Sequence, residues 1–126
     1  MNIDMIRAAA TRLKGHVRCT PLLSSPFIDA LAGRRVWIKP ECLQHTGSFK
    51  ARGAFNTLLS QDVPAAGLVA ASGGNHGAAV GYAAHKLGHR ARIYVPEMAG
   101  PAKIALIKSS GADLQVVPGA YSNALE

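Results

Sequence analysis

The sequence lacks a long apolar run, a secretory leader and a cysteine framework, and each absence excludes a class of protein. No stretch of about 18 consecutive apolar residues occurs, so no segment is expected to span a membrane. The N-terminus has no basic segment followed by an apolar core, which argues against a secretory signal. Cys19 and Cys42 do not have metal-site spacing, so we expect two reduced thiols, no bound metal and a cytoplasmic protein.

The sequence also has few acidic and few aromatic residues, but its basic residues do not form a nucleic acid binding pattern. Lys and Arg number 14 against 7 Asp and Glu, which gives a formal net charge of +7. The basic residues are scattered apart from the pair Arg34–Arg35, and aromatic residues, which stack on exposed bases, make up only 6% of the chain. We therefore expect no nucleic acid partner, whereas an anionic small molecule fits the charge.

The 126 residues suit one domain, and from residue 48 onward helical and strand-like patterns alternate. Helices are predicted at 48–60, 75–87 and 101–109, and strands at 67–71, 91–95 and 114–117. The short connections favour parallel strands with right-handed crossovers. The sequence therefore predicts an α/β fold in which a parallel open sheet is flanked by helices.

The first part of the chain predicts smaller elements. Residues 3–14 have the spacing of an amphipathic helix with Asp4 as its N-cap. A short helix is predicted from Pro26 to Leu31, with Gly33 ending it. Val36–Glu41 has the composition of a strand.

Lys50 lies in a stretch that suits a reactive amine. Ser48 is predicted to be the N-cap of the helix at 48–60, which places Lys50 in the first turn, beside Phe49. A lysine that attacks a carbonyl must be uncharged, and both burial and the positive end of a helix disfavour the ammonium. The pattern therefore favours a Schiff-base lysine that holds an aldehyde cofactor, although a lysine considered alone is more often a solvated helix residue.

A second distinctive stretch, Ser72–Gly77, joins a predicted strand to a predicted helix. Open α/β sheets bind ligands at the carboxyl ends of their strands, and Gly73 and Gly74 let backbone N–H groups approach a ligand closely. The helix N-terminus favours negative charge, so the turn suits a substrate carboxylate. Alternatively, the glycines could serve only the tight connection, Asn75 could cap the helix, and His76 is interpreted as structural, without a proton-transfer role.

Two motifs together, Gly47-Ser48-Phe49-Lys50 with Arg52-Gly53-Ala54 and then Ser72–Gly77, resemble those of the pyridoxal-phosphate-dependent serine/threonine dehydratases. This family includes the threonine ammonia-lyases and serine racemases and has the tryptophan-synthase-β fold type. The resemblance implies a lyase that eliminates water and then ammonia from L-threonine or L-serine, giving a 2-oxo acid. It also implies pyridoxal 5'-phosphate as the cofactor.

The resemblance implies a role for each matching residue. Lys50 would form the Schiff base with the cofactor and then move the α-proton, while Phe49 would pack against the pyridine ring. Asn75 would hydrogen-bond the ring hydroxyl. The substrate carboxylate would be held by the turn and the helix start, that is, by Ser72, Gly73, Gly74, Asn75 and His76.

The resemblance covers residues 5–126 and implies a division of the chain at the lysine loop. Residues 1–47 would belong to a large domain, and residues 48–126 would form a small α/β domain. The glycine-rich phosphate loop of the family is not found before Glu126, and residues 121–126 predict the start of another helix. We therefore expect an N-terminal portion that binds cofactor poorly and is inactive alone, and a full-length protein that is a homo-oligomer.

Four alternatives stay open. The first is an amino-acid racemase of the same fold. Serine racemases carry a serine where Gly73 stands, and the hydroxyl of that serine protonates the opposite face of the substrate. A glycine at this position therefore favours elimination over racemisation. β-Replacement enzymes such as cysteine synthases carry Asn-Pro before the lysine and Val-Lys-Asp-Arg around it, unlike Phe49-Lys50-Ala51-Arg52. A non-catalytic module could bind a nucleotide phosphate at Gly73–Gly74, but the Gly-x-Gly-x-x-Gly order is absent. An interaction fragment that docks on a full-length subunit is the fourth.

Overall fold

The computed structural model describes residues 2–119, which form helices and strands in the alternating order expected of an α/β protein. The helices are α1 (Ile3–Arg12), α2 (Pro26–Ala32), α3 (Lys50–Ser60), α4 (Asn75–Lys86) and α5 (Pro101–Lys108). The strands are β1 (Leu68–Ala71), β2 (Ala91–Pro96) and β3 (Asp113–Val117). The predicted helix start at 121–126 lies outside the described residues.

The three strands form one parallel sheet in the order β1-β2-β3. Leu68 pairs with Ala91, and Arg92 pairs with Asp113. All three strands therefore begin at the same end of the sheet, and their carboxyl ends lie together at the opposite end. Helices α4 and α5 connect successive strands. This arrangement confirms the predicted parallel open sheet flanked by helices.

Helix α4 packs closely because its buried face is built from small residues. Ala79, Ala83 and Ala84 face α3 in a cluster that includes Phe55, and none of the three alanines is exposed. On the sheet side, a Cβ added at Gly77 would lie 2.8 Å from the Ser72 carbonyl oxygen. The sequence of α4 thus sets a short distance between this helix and the sheet.

Gly81→Ala should destabilise the protein because the added methyl would collide with the Ser110 hydroxyl and lie 2.9 Å from Ala112 Cβ. Overpacking of this kind costs about 1–3 kcal/mol. A matched control is Gly53→Ala in α3, where a Cβ would meet no atom within 4 Å. That replacement should leave the free energy of unfolding unchanged or raise it by about 0.5–1 kcal/mol. Urea unfolding of both variants checks the pair, and equal stabilities would contradict the packing argument.

The first 47 residues depart from the sequence prediction at two points. The N-cap of α1 is Asn2 and not Asp4, because the Asn2 Oδ1 accepts a hydrogen bond from the Met5 N–H at 2.9 Å. The predicted strand at Val36–Glu41 is reduced to a single antiparallel bridge between Ile38 and Leu23. The Val36 N–H donates to the Asp29 carboxylate at 2.7 Å, so it is not available to a strand partner.

Helix α2 matches its prediction closely. It begins at Pro26, ends at Ala32 and has Gly33 as a left-handed C-cap at φ 63°. None of the helices between residues 2 and 119 combines the length and apolar content needed to cross a bilayer.

Candidate active site

The loop before Lys50 is strained and leaves buried hydroxyl groups without partners. Thr46 has φ 60°, a left-handed conformation that a β-branched residue rarely adopts. Among the residues described, the Thr46 Oγ1 and the Ser48 Oγ are buried and make no hydrogen bond. Backbone strain and unsatisfied buried polar atoms are both typical of functional sites.

Helix α3 begins at Lys50, and the prediction that Ser48 caps it is wrong. Ser48 has extended backbone angles, and no side chain accepts a hydrogen bond from the first turn of α3. The Ser48 hydroxyl is buried and has no hydrogen-bond partner within residues 2–119, so it does not accept from the first turn of α3. The free N–H groups of the first turn are therefore not neutralised by a cap.

Lys50 lies on the wall of a cavity of about 490 Å³ between α3, β1 and α4. Its Nζ lies 5.2 Å from the centroid of the Phe49 ring, and the same cavity is lined by His76, Val69 and Ala70. The residue is exposed, so the expectation of a buried amine is wrong for the described part of the chain. Within residues 2–119, the cavity walls come from α3, β1 and the first part of α4. The side of Lys50 that faces away from these elements is therefore open to solvent.

The turn between β1 and α4 is ordered by Ser72. The Ser72 N–H donates to the Tyr94 carbonyl at 2.9 Å, and its Oγ accepts from the Gly74 N–H at 3.3 Å. Gly74 is the N-cap of α4 and offers no side chain, so the first amides of α4 have no side-chain acceptor. Asn75 and His76, which begin the helix, are exposed.

The two glycines of the turn have different surroundings. A Cβ on Gly73 would lie 3.0 Å from the Ala99 Cβ and 3.4 Å from the Pro96 Cδ. A Cβ on Gly74 would meet no atom of the described residues within 4 Å, its chain neighbours aside. Gly73 therefore permits close packing against the segment after β2, whereas Gly74 faces open space in which a ligand could lie.

The structure brings together part of the predicted site. Phe49, Lys50 and His76 line one cavity, whereas Ser72, Gly73, Gly74 and Asn75 are not among its lining residues. The predicted site therefore forms two neighbouring regions, the lysine cavity and the tip of the β1–α4 turn, which His76 connects. Sequence analysis assigned His76 to carboxylate binding, without a proton-transfer role, and did not predict that it would line a cavity with Lys50. Its position directly after Asn75, at the start of a helix on the same side as Lys50, is the signal that could have placed it in the cavity.

His45, five residues before Lys50, fastens the lysine loop to α4. Its ring stacks on Tyr82 with centroids 5.0 Å apart, and its Nδ1 lies 3.2 Å from the Tyr82 hydroxyl. Burial lowers the pKa of His45, and the nearby cations Arg18 and Lys86 lower it further. The shift favours the neutral imidazole, which can share a hydrogen bond with the Tyr82 hydroxyl.

Sequence analysis missed an ion pair beside the lysine. Arg52, two residues after Lys50, binds Glu41 through its Nε and Nη2 at 2.7 and 2.8 Å. The hydrogen bond from Arg52 is the largest cause that lowers the pKa of Glu41 to about 2, with a smaller contribution from Thr20, against the opposing effect of burial. The available signal was that Arg52 is the only formally charged residue besides Lys50 between Gln44 and Ala54.

Comparison with known proteins gives consistent matches along the chain. The family model described as pyridoxal-phosphate dependent enzyme matches residues 13–126. A putative threonine dehydratase from Sinorhizobium fredii is 39% identical over 126 residues, which cover 98% of this chain and 38% of the relative. An L-threo-3-hydroxyaspartate ammonia-lyase from Pseudomonas is 46% identical over 111 residues, which cover 86% of this chain and 34% of the relative.

The solved structure of maize serine racemase has a TM-score of 0.91 and 36% identity, covering 98% of this chain and 38% of that protein. At this score the fold of the chain is that of the corresponding part of the racemase. The chain spans little more than a third of the length of each of these proteins.

Proposed function

This chain belongs to the pyridoxal-phosphate-dependent enzymes, and from that premise we propose that the complete protein is a threonine or serine ammonia-lyase. It would eliminate water and then ammonia from L-threonine or L-serine, leaving a 2-oxo acid. The observation that carries the proposal is the position of the Lys50 amine beside an aromatic ring, on a cavity that reaches the start of α4. The names of the relatives, a threonine dehydratase and a hydroxyaspartate ammonia-lyase, support the same class of reaction.

The residues present fit pyridoxal phosphate, the cofactor of the family. Lys50 supplies the primary amine that an aldehyde requires, and Phe49 supplies an aromatic face next to it. The unpartnered hydroxyls of Thr46 and Ser48 offer hydrogen-bonding groups in the same loop. Asn75 presents an amide that can either donate or accept at the exposed start of α4.

When bound, pyridoxal phosphate supplies a conjugated ring that accepts the electron pair left on the substrate Cα after proton loss. The Lys50 Nζ takes the α-proton and passes a proton to the departing hydroxyl group, so one amine serves as base and acid. Holding that amine at the cavity wall replaces a bimolecular encounter with a fixed geometry. Lys50 is thus the residue on which the proposed chemistry depends.

Substrate orientation is assigned to the turn before α4. The uncapped amides of Asn75 and His76 and the positive end of the helix favour a carboxylate there. Because the Ser72 Oγ already accepts from Gly74, its proton is left to donate to the carboxylate. Gly74 leaves the space above the turn open.

Elimination is favoured over racemisation by the surroundings of Gly73. The position has no side chain to deliver a proton, and a Cβ there would lie 3.0 Å from Ala99. A serine at this position would therefore require movement of the segment after β2. Relatives named serine racemase keep racemisation as the second candidate activity.

The proposal includes the division of the chain into residues 1–47, part of a large domain, and residues 48–126, a small domain. Large apolar side chains in the first region are exposed, including Phe27 at 72%, Leu31 at 74% and Trp37 at 57%. Clustered exposure of this kind usually marks a surface that packs against further protein. In the complete protein we assign that surface to the large domain, within a cytoplasmic homo-oligomer.

The reaction is tested by incubating the complete protein and pyridoxal phosphate with L-threonine, L-serine and D-serine separately. We expect 2-oxobutanoate from L-threonine and pyruvate from L-serine, followed through reduction by NADH with lactate dehydrogenase. Chiral chromatography of the L-serine reaction should show D-serine forming much more slowly than pyruvate. D-serine formed as fast as pyruvate would replace the lyase with the racemase, and absence of both products would remove the proposal.

A further inference from the structure

The first turn of α3 is held by charge rather than by a cap. Glu41 binds Arg52 through both carboxylate oxygens, at 2.7 Å to Nε and 2.8 Å to Nη2. Thr20 donates its hydroxyl to the Glu41 Oε1 at 2.5 Å, and Arg52 Nη2 also donates to the Arg18 carbonyl at 3.1 Å. Two-point binding of a guanidinium fixes direction as well as distance. The helix that begins with Lys50 is thereby fastened to segments 18–20 and 41.

A second attachment lies on the other side of the lysine loop. Gln44 is 2% exposed, and its amide exchanges hydrogen bonds with the backbone of Arg18, at 2.9 Å from the Arg18 N–H and 2.8 Å to the Arg18 carbonyl. The Arg18 carbonyl therefore accepts from both Gln44 and Arg52. Gln44 and Arg52, which precede and follow Lys50 in the chain, are therefore both attached to the backbone of Arg18.

Between these two attachments lies the strained part of the loop. Thr46 has a left-handed backbone, and the buried hydroxyls of Thr46 and Ser48 lack partners. Such a conformation persists only when the surrounding structure fixes it from both sides. Within residues 2–119, the bonds of Gln44 and Arg52 to residues 18–41 supply that constraint, together with the contact of His45 with Tyr82.

We propose that Glu41 and Arg52 are positioning residues that set the direction of the Lys50 side chain toward the cofactor. The inference rests on the proposed function, since the direction of Lys50 matters only if its amine carries the cofactor. Neither residue lines the lysine cavity, so both act through the backbone of α3. The Lys50 side chain is long and exposed, so few contacts hold its amine directly. The protein therefore controls the direction of this side chain through the backbone at the start of α3.

The pair keeps its charges under ordinary conditions. The pKa of Glu41, lowered to about 2 mainly by Arg52, means that the carboxylate contributes stability above about pH 4.5 and loses it as the pH falls toward 2. The other groups that face the pair are Lys39, whose Nζ lies 4.0 Å from the Glu41 Oε1, and Cys19 near Arg52. The attachment is thus permanent at neutral pH and is not a switch.

Glu41→Gln in the complete protein tests the inference by two measurements. The first is hydrogen exchange in the first turns of α3, beginning with the Arg52 amide that donates to Phe49 at 3.0 Å. Loss of a charge-assisted attachment should speed exchange there about tenfold or more and leave α4 unchanged. The second is the fraction of pyridoxal phosphate that borohydride traps on Lys50 relative to the other lysines, measured by peptide mapping. This fraction should fall.

Three further variants make the result specific. Arg52→Lys keeps the charge but cannot bind two carboxylate oxygens and a carbonyl together, so it should behave like Glu41→Gln. Thr20→Val removes one donor to Glu41, should have a smaller effect of the same kind, and replaces Glu41→Gln if that variant does not fold. The matched control is Asp113→Asn, which removes the exposed 2.6 Å pair with Arg92 at the other end of the sheet and should change neither measurement.

The outcomes separate this inference from the proposed function. Unchanged exchange in α3, equally faster exchange in α3 and α4, or an unchanged Lys50 fraction in Glu41→Gln would each remove the positioning role and leave the proposed function standing. Wild-type protein in which pyridoxal phosphate shows no preference for Lys50 would remove the proposed function, and the positioning role with it. Faster exchange confined to α3 together with a lower Lys50 fraction supports both.

Discussion

Lys50→Ala should lower the turnover of L-threonine in the complete protein by about a thousandfold or more. The replacement removes the amine that holds the aldehyde and the group that moves the α-proton, and acid–base catalysis alone contributes about 10²–10⁴-fold. The variant should still fold, because Lys50 is exposed and its side chain makes no hydrogen bond or ion pair within residues 2–119. The measurement is the initial rate of 2-oxo acid release at saturating cofactor, together with trapping by borohydride.

Lys103→Ala is the matched control for this replacement. Lys103 also lies in the first turn of a helix, α5, and is also exposed, but it does not line the Lys50 cavity. It should keep wild-type activity and cofactor trapping. If Lys50→Ala retained a tenth or more of the wild-type rate, the catalytic assignment would be wrong whatever the fold of the chain.

Gly74→Ala should raise the KM for L-threonine about tenfold or more while leaving the folded structure intact. Apart from the neighbouring residues in the chain, no atom of residues 2–119 lies within 4 Å of the added Cβ, so the methyl enters the space assigned to the substrate carboxylate. Displacing a carboxylate from helix amides loses charge-assisted hydrogen bonds, each of which contributes about 1.5–3 kcal/mol. Steady-state kinetics and thermal unfolding of the same preparation provide the measurement.

Gly100→Ala gives a control of the same kind at another helix. Gly100 is the N-cap of α5, and a Cβ there also meets no atom within 4 Å. Both replacements exchange a glycine N-cap for alanine, a poorer N-cap, so both should lower stability by a similar amount, about 1 kcal/mol or less. An unchanged KM in Gly74→Ala would place the carboxylate elsewhere, whereas an equal rise in Gly100→Ala would point to a general effect on folding.

The regular half of the fold could be predicted from the sequence because its signals are local. Short apolar runs between glycines mark β1, β2 and β3, and the structure places each within about a residue of its prediction. The structure of the N-terminal part was harder to predict, because side chains form hydrogen bonds with its backbone groups. Asp29 takes the Val36 N–H that a strand would have used, and no periodic pattern announces such a bond.

The candidate site likewise has features that could be predicted from the sequence and others that could not. The positions of Lys50 at the start of α3 and of Gly73–Gly74 in the turn before α4 could be predicted, since both follow from local sequence pattern, whereas their roles in the site stay predictions. The pairing of Arg52 with Glu41 could not, because the two are 11 residues apart across two short turns and meet only once the loop is folded. Lys50 is exposed for a related reason, since burial depends on what other segments supply to the open side of α3.

Helix α4 has little room for larger side chains on the face that contacts the sheet. Its contacts with the sheet rely on residues at or near the lower limit of size, as at Gly77, where a Cβ would lie 3.0 Å from the Ile93 Cγ2. A change there can only add volume, and no smaller residue exists to compensate at the same position. Replacements on the sheet-facing side of α4 should consequently lower the free energy of unfolding more than replacements on its exposed side.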